Sequence, residues 1–117
     1  MPGGSGHDYA SVALAFTKAL ATRDYPSAYG MTSKQFQTGM SMEEMRAAFE
    51  TIVPTDWTTV GSIEVGMTME SWPDKQPSDL GWAYVSVGGD AYSEAVIVVV
   101  TREGRDLRVR SVEFGRP

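Results

Sequence analysis

The chain contains no cysteine. Disulfides, thiolate metal sites and thiol nucleophiles are therefore excluded. It has a single histidine, His7, in a glycine-rich opening stretch. There His7 reads as a solvated bystander rather than a ligand. Basic residues are short too: ten Lys and Arg stand against fifteen Asp and Glu, for a net charge of -5. A phosphate backbone needs a basic surface, so a nucleic-acid partner is disfavoured. No apolar run is long enough to span a bilayer, which argues against membrane insertion. No glycine-rich loop ends in Lys-Ser or Lys-Thr, as a phosphate cradle would. No basic–apolar leader stands at the start of the sequence, and a removed leader would leave no trace.

What is present is ordinary globular material. The 117 residues are 42% hydrophobic and 21% charged, which suits one domain with a real core. Residues 1–7 read as a flexible segment and 8–117 as the domain. From Tyr9 to Arg23 the chain is rich in helix formers. Val12, Phe16, Ala19, Leu20 and Arg23 recur at helical spacing, the first four as an apolar face. Asp24-Tyr25-Pro26 breaks this helix, and Pro26 suits the first turn of a second, short one. Residues 32–40 allow a turn or short helix anchored by Phe36. Ser41-Met42-Glu43-Glu44 has the form of a capping box, and Met45, Phe49 and Ile52 follow at helical spacing up to Pro54.

Beyond Pro54 the period changes to two. Ile63, Val65, Met67 and Met69 alternate with Glu64, Gly66, Thr68 and Glu70, which predicts one apolar and one mostly polar strand face. A polar, proline-containing loop from Pro73 to Asp79 leads to a strand at Trp82–Val87. Gly88-Gly89-Asp90 then turns into a long strand with the unbroken apolar run Ala95–Val100. Such a run predicts cover on both faces. A turn near Gly104 returns the chain as a last strand. Two registers are open. With Glu103-Gly104 as a two-residue loop, Val98 and Val100 share a face with Leu107 and Val109, and Ile97 and Val99 lie beside Arg110 and Arg108. With one more loop residue, Ile97 and Val99 join Leu107 and Val109 instead. Leu107 and Val109 are out of phase with Val112 and Phe114, which predicts a bulge near Arg110–Ser111. Helices followed by strands imply an α+β fold: three N-terminal helices on a curved, mostly antiparallel sheet of four or more strands.

The order of elements resembles the nuclear transport factor 2-like superfamily. The resemblance is carried by Ala15-Phe16 through Tyr29 and by Ser41 through Phe49, and it spans nearly all of residues 8–115. It implies a cone with a pocket at its open end, a bacterial type of member, and a homodimer formed through the outer sheet face. Ile97, Val99, Arg108 and Arg110 are the residues expected on that dimer face. The alternative is that Arg108 and Arg110 shade Ile97 and Val99 with their aliphatic stems.

No catalytic set stands out, and no metal site or cofactor is expected. The superfamily resemblance covers isomerases that use a carboxylate with tyrosine donors, and hydrolases that use an Asp–Arg–Asp arrangement. Tyr25, Tyr29 and Asp56 supply the first set of types; Arg108, Arg110, Asp90 and Glu113 supply the second. Its dehydratase-like sites need histidine, which only His7 could supply. A perturbed carboxylate at Asp56, Glu94 or Glu113 would mark an enzyme. Arg108 and Glu113 read more simply as members of cross-strand pairs. The favoured function is a non-enzymatic binding module whose pocket takes a small apolar ligand or a protein segment. Its candidate ligand residues are Tyr29, Trp57, Trp82 and Glu113, with Trp72 at the pocket mouth. The alternatives are a small pocket isomerase or hydrolase, and an immunity-type interaction protein acting through its acidic surface and the loop from Pro73 to Gly81.

Overall fold

A computed structural model describes residues 8–54, 61–88 and 93–115. Four helices precede four strands: α1 (Asp8–Ala21), α2 (Tyr25–Gly30), α3 (Lys34–Gly39), α4 (Met42–Ile52), β1 (Ser62–Met69), β2 (Asp79–Gly88), β3 (Ser93–Glu103) and β4 (Asp106–Phe114). The strands form one antiparallel sheet in the order β1-β2-β3-β4. The fold is α+β, with the helices packed on one face of a curved sheet. The stretch for which the sequence allows a turn or short helix holds α3, capped by the Ser33 hydroxyl accepting from the Phe36 N–H.

Tyr9, Ala13, Phe16 and Leu20 are the buried stripe of α1, while Val12 and Ala19 are only partly buried. The apolar face is thus rotated from the expected one, because Tyr9 packs on β2 through Gly81. A Cβ at Gly81 would overlap the Tyr9 ring. Gly81→Ala is therefore expected to destabilise the domain by about 1–3 kcal/mol. Urea unfolding of a Tyr9/Gly81 double-mutant cycle checks this: the penalty should shrink in a Tyr9→Ala background. An equal penalty in both backgrounds would remove the ring as its cause.

α1 ends with Arg23 in the left-handed region, at φ 64°. The Arg23 N–H donates to the Leu20 carbonyl and the Asp24 N–H to the Ala19 carbonyl, the paired bonds that close a helix end. Glycine would adopt this conformation with less strain. Arginine has a use there: its guanidinium donates to the Val53 and Pro54 carbonyls and lies over the Phe49 ring at 5.4 Å. One side chain so ties the end of α1 to the end of α4. α4 begins with the anticipated capping box. The Ser41 hydroxyl accepts from the Glu44 N–H, and the Glu44 carboxylate accepts from the Ser41 N–H.

The helix-facing side of the sheet presents Ala83, Val85, Val87, Val96, Val98, Val100 and Val109, all fully buried. Phe16, Leu20, Met45, Phe49 and Val53 pack against them from the helices. The turn between β3 and β4 is Gly104-Arg105, with Glu103 opposite Asp106 and Val100 opposite Val109. The loop differs from Glu103-Gly104, yet the faces agree with the shorter-loop register: Val98 and Val100 share the core side with Val109. Arg110 is the extra residue of a bulge, since Val99 pairs with Ser111 and Val100 with Val109. The phase shift of the apolar residues in β4 predicts this bulge, and it returns Val112 and Phe114 to the core side.

Two further bulges are findings of the structure. In β1 the register slips between Val65 and Met67. Ile63 and Val65 face the helices, whereas Met67 and Met69 pair with Tyr84 and Trp82 on the opposite face. The single apolar face expected for this strand is therefore split at Gly66. In β2 the register slips between Asp79 and Gly81, leaving Leu80 as the extra residue. This bulge turns Gly81 towards Tyr9 and Asp79 towards the outer face.

The outer edge of β4 is covered in part by its own chain. The Ser33 N–H donates to the Val109 carbonyl and the Val109 N–H to the Met31 carbonyl, each at 2.8 Å. Such cover blunts a strand edge that could otherwise pair with another chain.

Candidate functional site

The outer face of the sheet carries the described cavity of most chemical interest. Reading across strands, Met67, Tyr84, Ile97 and Glu113 form one row, and Met69, Trp82, Val99 and Ser111 the next. Ile97 and Val99 lie in a groove of about 270 Å³ also lined by Trp72, Asp74, Trp82, Arg110, Ser111 and Glu113. They are only 4% and 6% exposed. Much of the apolar outer face of β3 is thus covered within one chain, while Met67 remains 55% exposed beside it.

Arg110 and Asp79 set one wall. The Arg110 guanidinium donates from Nε to Asp79 Oδ1 and from Nη2 to Asp79 Oδ2, both at 2.7 Å. The Asp79 side chain is wholly buried and that of Arg110 is 12% exposed. This paired geometry is the strong form of an Arg–carboxylate contact. Burial alone would raise the Asp79 pKa. The Arg110 hydrogen bonds and charge, the Gln76 N–H and the Thr101 hydroxyl outweigh burial and hold the carboxyl below its ordinary value. Both bulges are needed for the pair: Leu80 as an extra residue turns Asp79 outward, and Arg110 is itself the extra residue of β4.

Asp79 also folds the preceding loop. Its carboxylate accepts from the Gln76 N–H, and its own N–H donates to the Gln76 carbonyl. The Arg102 N–H donates to the Ser78 carbonyl, which fixes the loop to β3. Trp72 is held at the start of this loop. The Lys75 ammonium lies 5.8 Å from the centre of the Trp72 ring and donates to the Glu70 carbonyl. No family model matches the chain, and no curated protein or solved structure matches it either.

The structure brings together Trp82, Glu113, Ile97, Val99 and Arg110 from the two sets of expected site residues. It does not bring Tyr29 to them. Tyr29 lies in α2, donates its hydroxyl to the Met40 carbonyl at 2.8 Å and meets Phe36 edge-on. Arg108 is also elsewhere: it donates to the Gly30 carbonyl and pairs with Asp106. For Arg108 the expected cross-strand pairing is therefore replaced by local tethers to Gly30 and Asp106. Glu94 faces the helix side of the sheet, opposite Val87. Tyr25 donates to Glu50 and accepts from Arg23, a structural cluster at the end of α4. Its pKa is raised, by burial first and then by the Glu50 carboxylate, against the opposing influence of Arg23. His7, Asp56, Trp57 and Asp90 lie outside the described residues.

Asp79 as the partner of Arg110, and Asp74 as a lining residue, have no distinct signal in the sequence. Both fall in the stretch Pro73–Asp79, whose polar composition predicts a solvent-exposed loop. Among the described residues, no group of three or more His, Cys, Asp or Glu side chains is arranged to hold a metal. None of the described helices is long and apolar enough to cross a membrane.

Proposed function

We propose that this chain is a non-enzymatic binding module of nuclear transport factor 2-like type, which holds a small ligand or a protein segment on the outer face of its sheet. The observation that carries the reading is the groove in which Trp72 and Trp82 flank the buried floor residues Ile97 and Val99. The groove sets an aliphatic floor and two indoles against an equal number of polar lining residues, Asp74, Arg110, Ser111 and Glu113. The run of helices followed by an antiparallel meander supports the superfamily reading.

The chemistry of the groove favours binding over catalysis. Among the described residues Asp79 is the buried carboxylate, and Arg110 holds it ionised. A proton-transfer group works best with a pKa near the working pH, and Asp79 is shifted away from it. Homodimerisation through the same face is a second reading, favoured by Met67 at 55% exposure beside Tyr84. In that case the second copy would cover the β1 side of the outer face.

Native mass spectrometry of gently purified wild-type protein and Trp82→Ala tests both readings. The expected result is a small mass retained by the wild type and absent from the variant, with the subunit count read in the same spectrum. A mass retained equally by both proteins would overturn the outer-face site. An unliganded spectrum from both would overturn the small-ligand form and turn the search to a protein segment by pull-down. A purely monomeric wild type would overturn the homodimer.

A further inference from the structure

We propose that the groove between Trp72 and Trp82 takes a small organic cation, and that a quaternary ammonium group is its best-fitting occupant. This rests on the binding-module reading and names the chemistry of the ligand.

The first support is charge. Of the three ionisable side chains that line the groove, Arg110 is neutralised by the buried Asp79 through two hydrogen bonds of 2.7 Å. Asp74 and Glu113 remain, both exposed and both acidic. Among the described residues neither takes part in a salt bridge. The whole chain also carries a net charge of -5. An anionic ligand would meet two carboxylates and an arginine whose charge is already spent.

The second support is the pair of indoles. A tryptophan face attracts cations through its quadrupole, and the attraction grows as water is excluded. Trp72 already draws the Lys75 ammonium to 5.8 Å from its ring centre. Lys75 is an internal example of the contact, and also a competitor for it.

The third support is the floor. Ile97 and Val99 are aliphatic, and Glu113 stands directly across from Ile97 in register. A primary ammonium set on Ile97 and Val99 would turn N–H donors onto side chains that cannot accept them. A quaternary ammonium has none. Its methyl groups can pack on Ile97, Val99 and the indoles while its charge faces Asp74 and Glu113. A volume of about 270 Å³ suits a small ligand of this kind.

The test is a titration of ¹⁵N-labelled protein followed at the tryptophan indole signals. Choline is the cationic probe and 3,3-dimethylbutan-1-ol is its neutral isostere. N-acetyl-lysine methylamide stands in for a lysine on a partner protein. Choline is expected to shift the Trp72 and Trp82 signals, with the neutral isostere about tenfold weaker. Glu113→Gln should weaken choline roughly three- to fivefold. Lys75→Ala should strengthen it by a similar factor, because it removes both a like charge and a competitor. Equal affinity for choline and the alcohol would overturn the cation proposal. So would an indole response to the lysine amide stronger than to choline, or no response to choline. The module reading fails separately. A neutral or acidic mass retained by the wild type and lost in Trp82→Ala would leave that reading standing while sinking the cation. A mass held equally by both proteins would sink the module reading whatever choline does.

Discussion

Asp79→Ala is expected to destabilise the domain by about 3–5 kcal/mol, because it strands a nearly buried guanidinium. A small domain has roughly 5–15 kcal/mol in total, so the loss is a large fraction of its stability. The melting temperature should fall on the order of 12–20 °C. Desolvation decides the size of the effect. The Asp79 side chain is wholly buried, and Arg110 is 12% exposed. A surface pair would lose only about 0–1 kcal/mol. Replacing both partners with apolar side chains, as in Asp79→Leu with Arg110→Met, should cost less than Asp79→Ala alone, since no charge is then left unpaired. Chemical denaturation of the three variants checks this order. A loss below about 1 kcal/mol for Asp79→Ala would show the pair to be screened like a surface contact.

The same pair predicts a pH signature. Folding lowers the Asp79 pKa from its ordinary value of 3.8. Near that value the unfolded chain binds more protons at this site than the folded one, so stability rises with pH there. The contribution of Asp79 is complete well above pH 3.8. It is lost as the pH falls through the unfolded value and on through the lowered folded one. Asp79→Asn should flatten that part of the acid limb. An unchanged limb would assign the acid sensitivity to other carboxylates.

The sequence is most legible where local chemistry and tertiary structure agree. The capping box at Ser41 and Glu44 needs only its own four residues, and the apolar stripe of α4 only its own period. The bulge at Arg110 is legible because Leu107 and Val109 clash in phase with Val112 and Phe114. The bulge at Gly66 is hidden for the opposite reason. Ile63, Val65, Met67 and Met69 keep perfect alternation, so nothing in the string marks the slip that sends the two methionines to the outer face. A strand's period fixes which residues share a face only while pairing is regular. The site suffers from the same limit. Trp82, Glu113, Ile97 and Val99 can be picked out one by one by residue type. Trp82 and Val99 meet by regular pairing, but Glu113 comes opposite Ile97 only through the bulge at Arg110, and Arg110 is held by Asp79, which has no sequence mark of burial. Residue type alone groups Tyr29 with them, whereas α2 holds it in the helical layer.

The other large effect expected is on the opposite face. Phe49→Ala should destabilise the domain by about 3–5 kcal/mol, from lost burial and the cavity left behind. Phe49 is fully buried in the core cluster that also holds Phe16, Met45 and Val53. It also carries the Arg23 guanidinium over its ring. Truncation therefore removes a cation–π contact worth about 0.5–1 kcal/mol, and with it part of the support for Arg23 in its left-handed conformation. Phe49→Leu keeps most of the volume and should lose less than Phe49→Ala, which urea unfolding of both variants measures. A drop of similar size for both would point to the ring contact with Arg23 rather than the cavity. The position gives a control for function as well. Phe49 packs on the helix side of the sheet, whereas the groove opens on the other side and its walls meet through backbone pairing and the Asp79–Arg110 pair. Folded Phe49→Leu should therefore bind a groove ligand as the wild type does. A change in affinity would mean that the two faces are coupled through the strands, with Val96, Val98 and Val100 of β3 facing one way and Ile97 and Val99 the other.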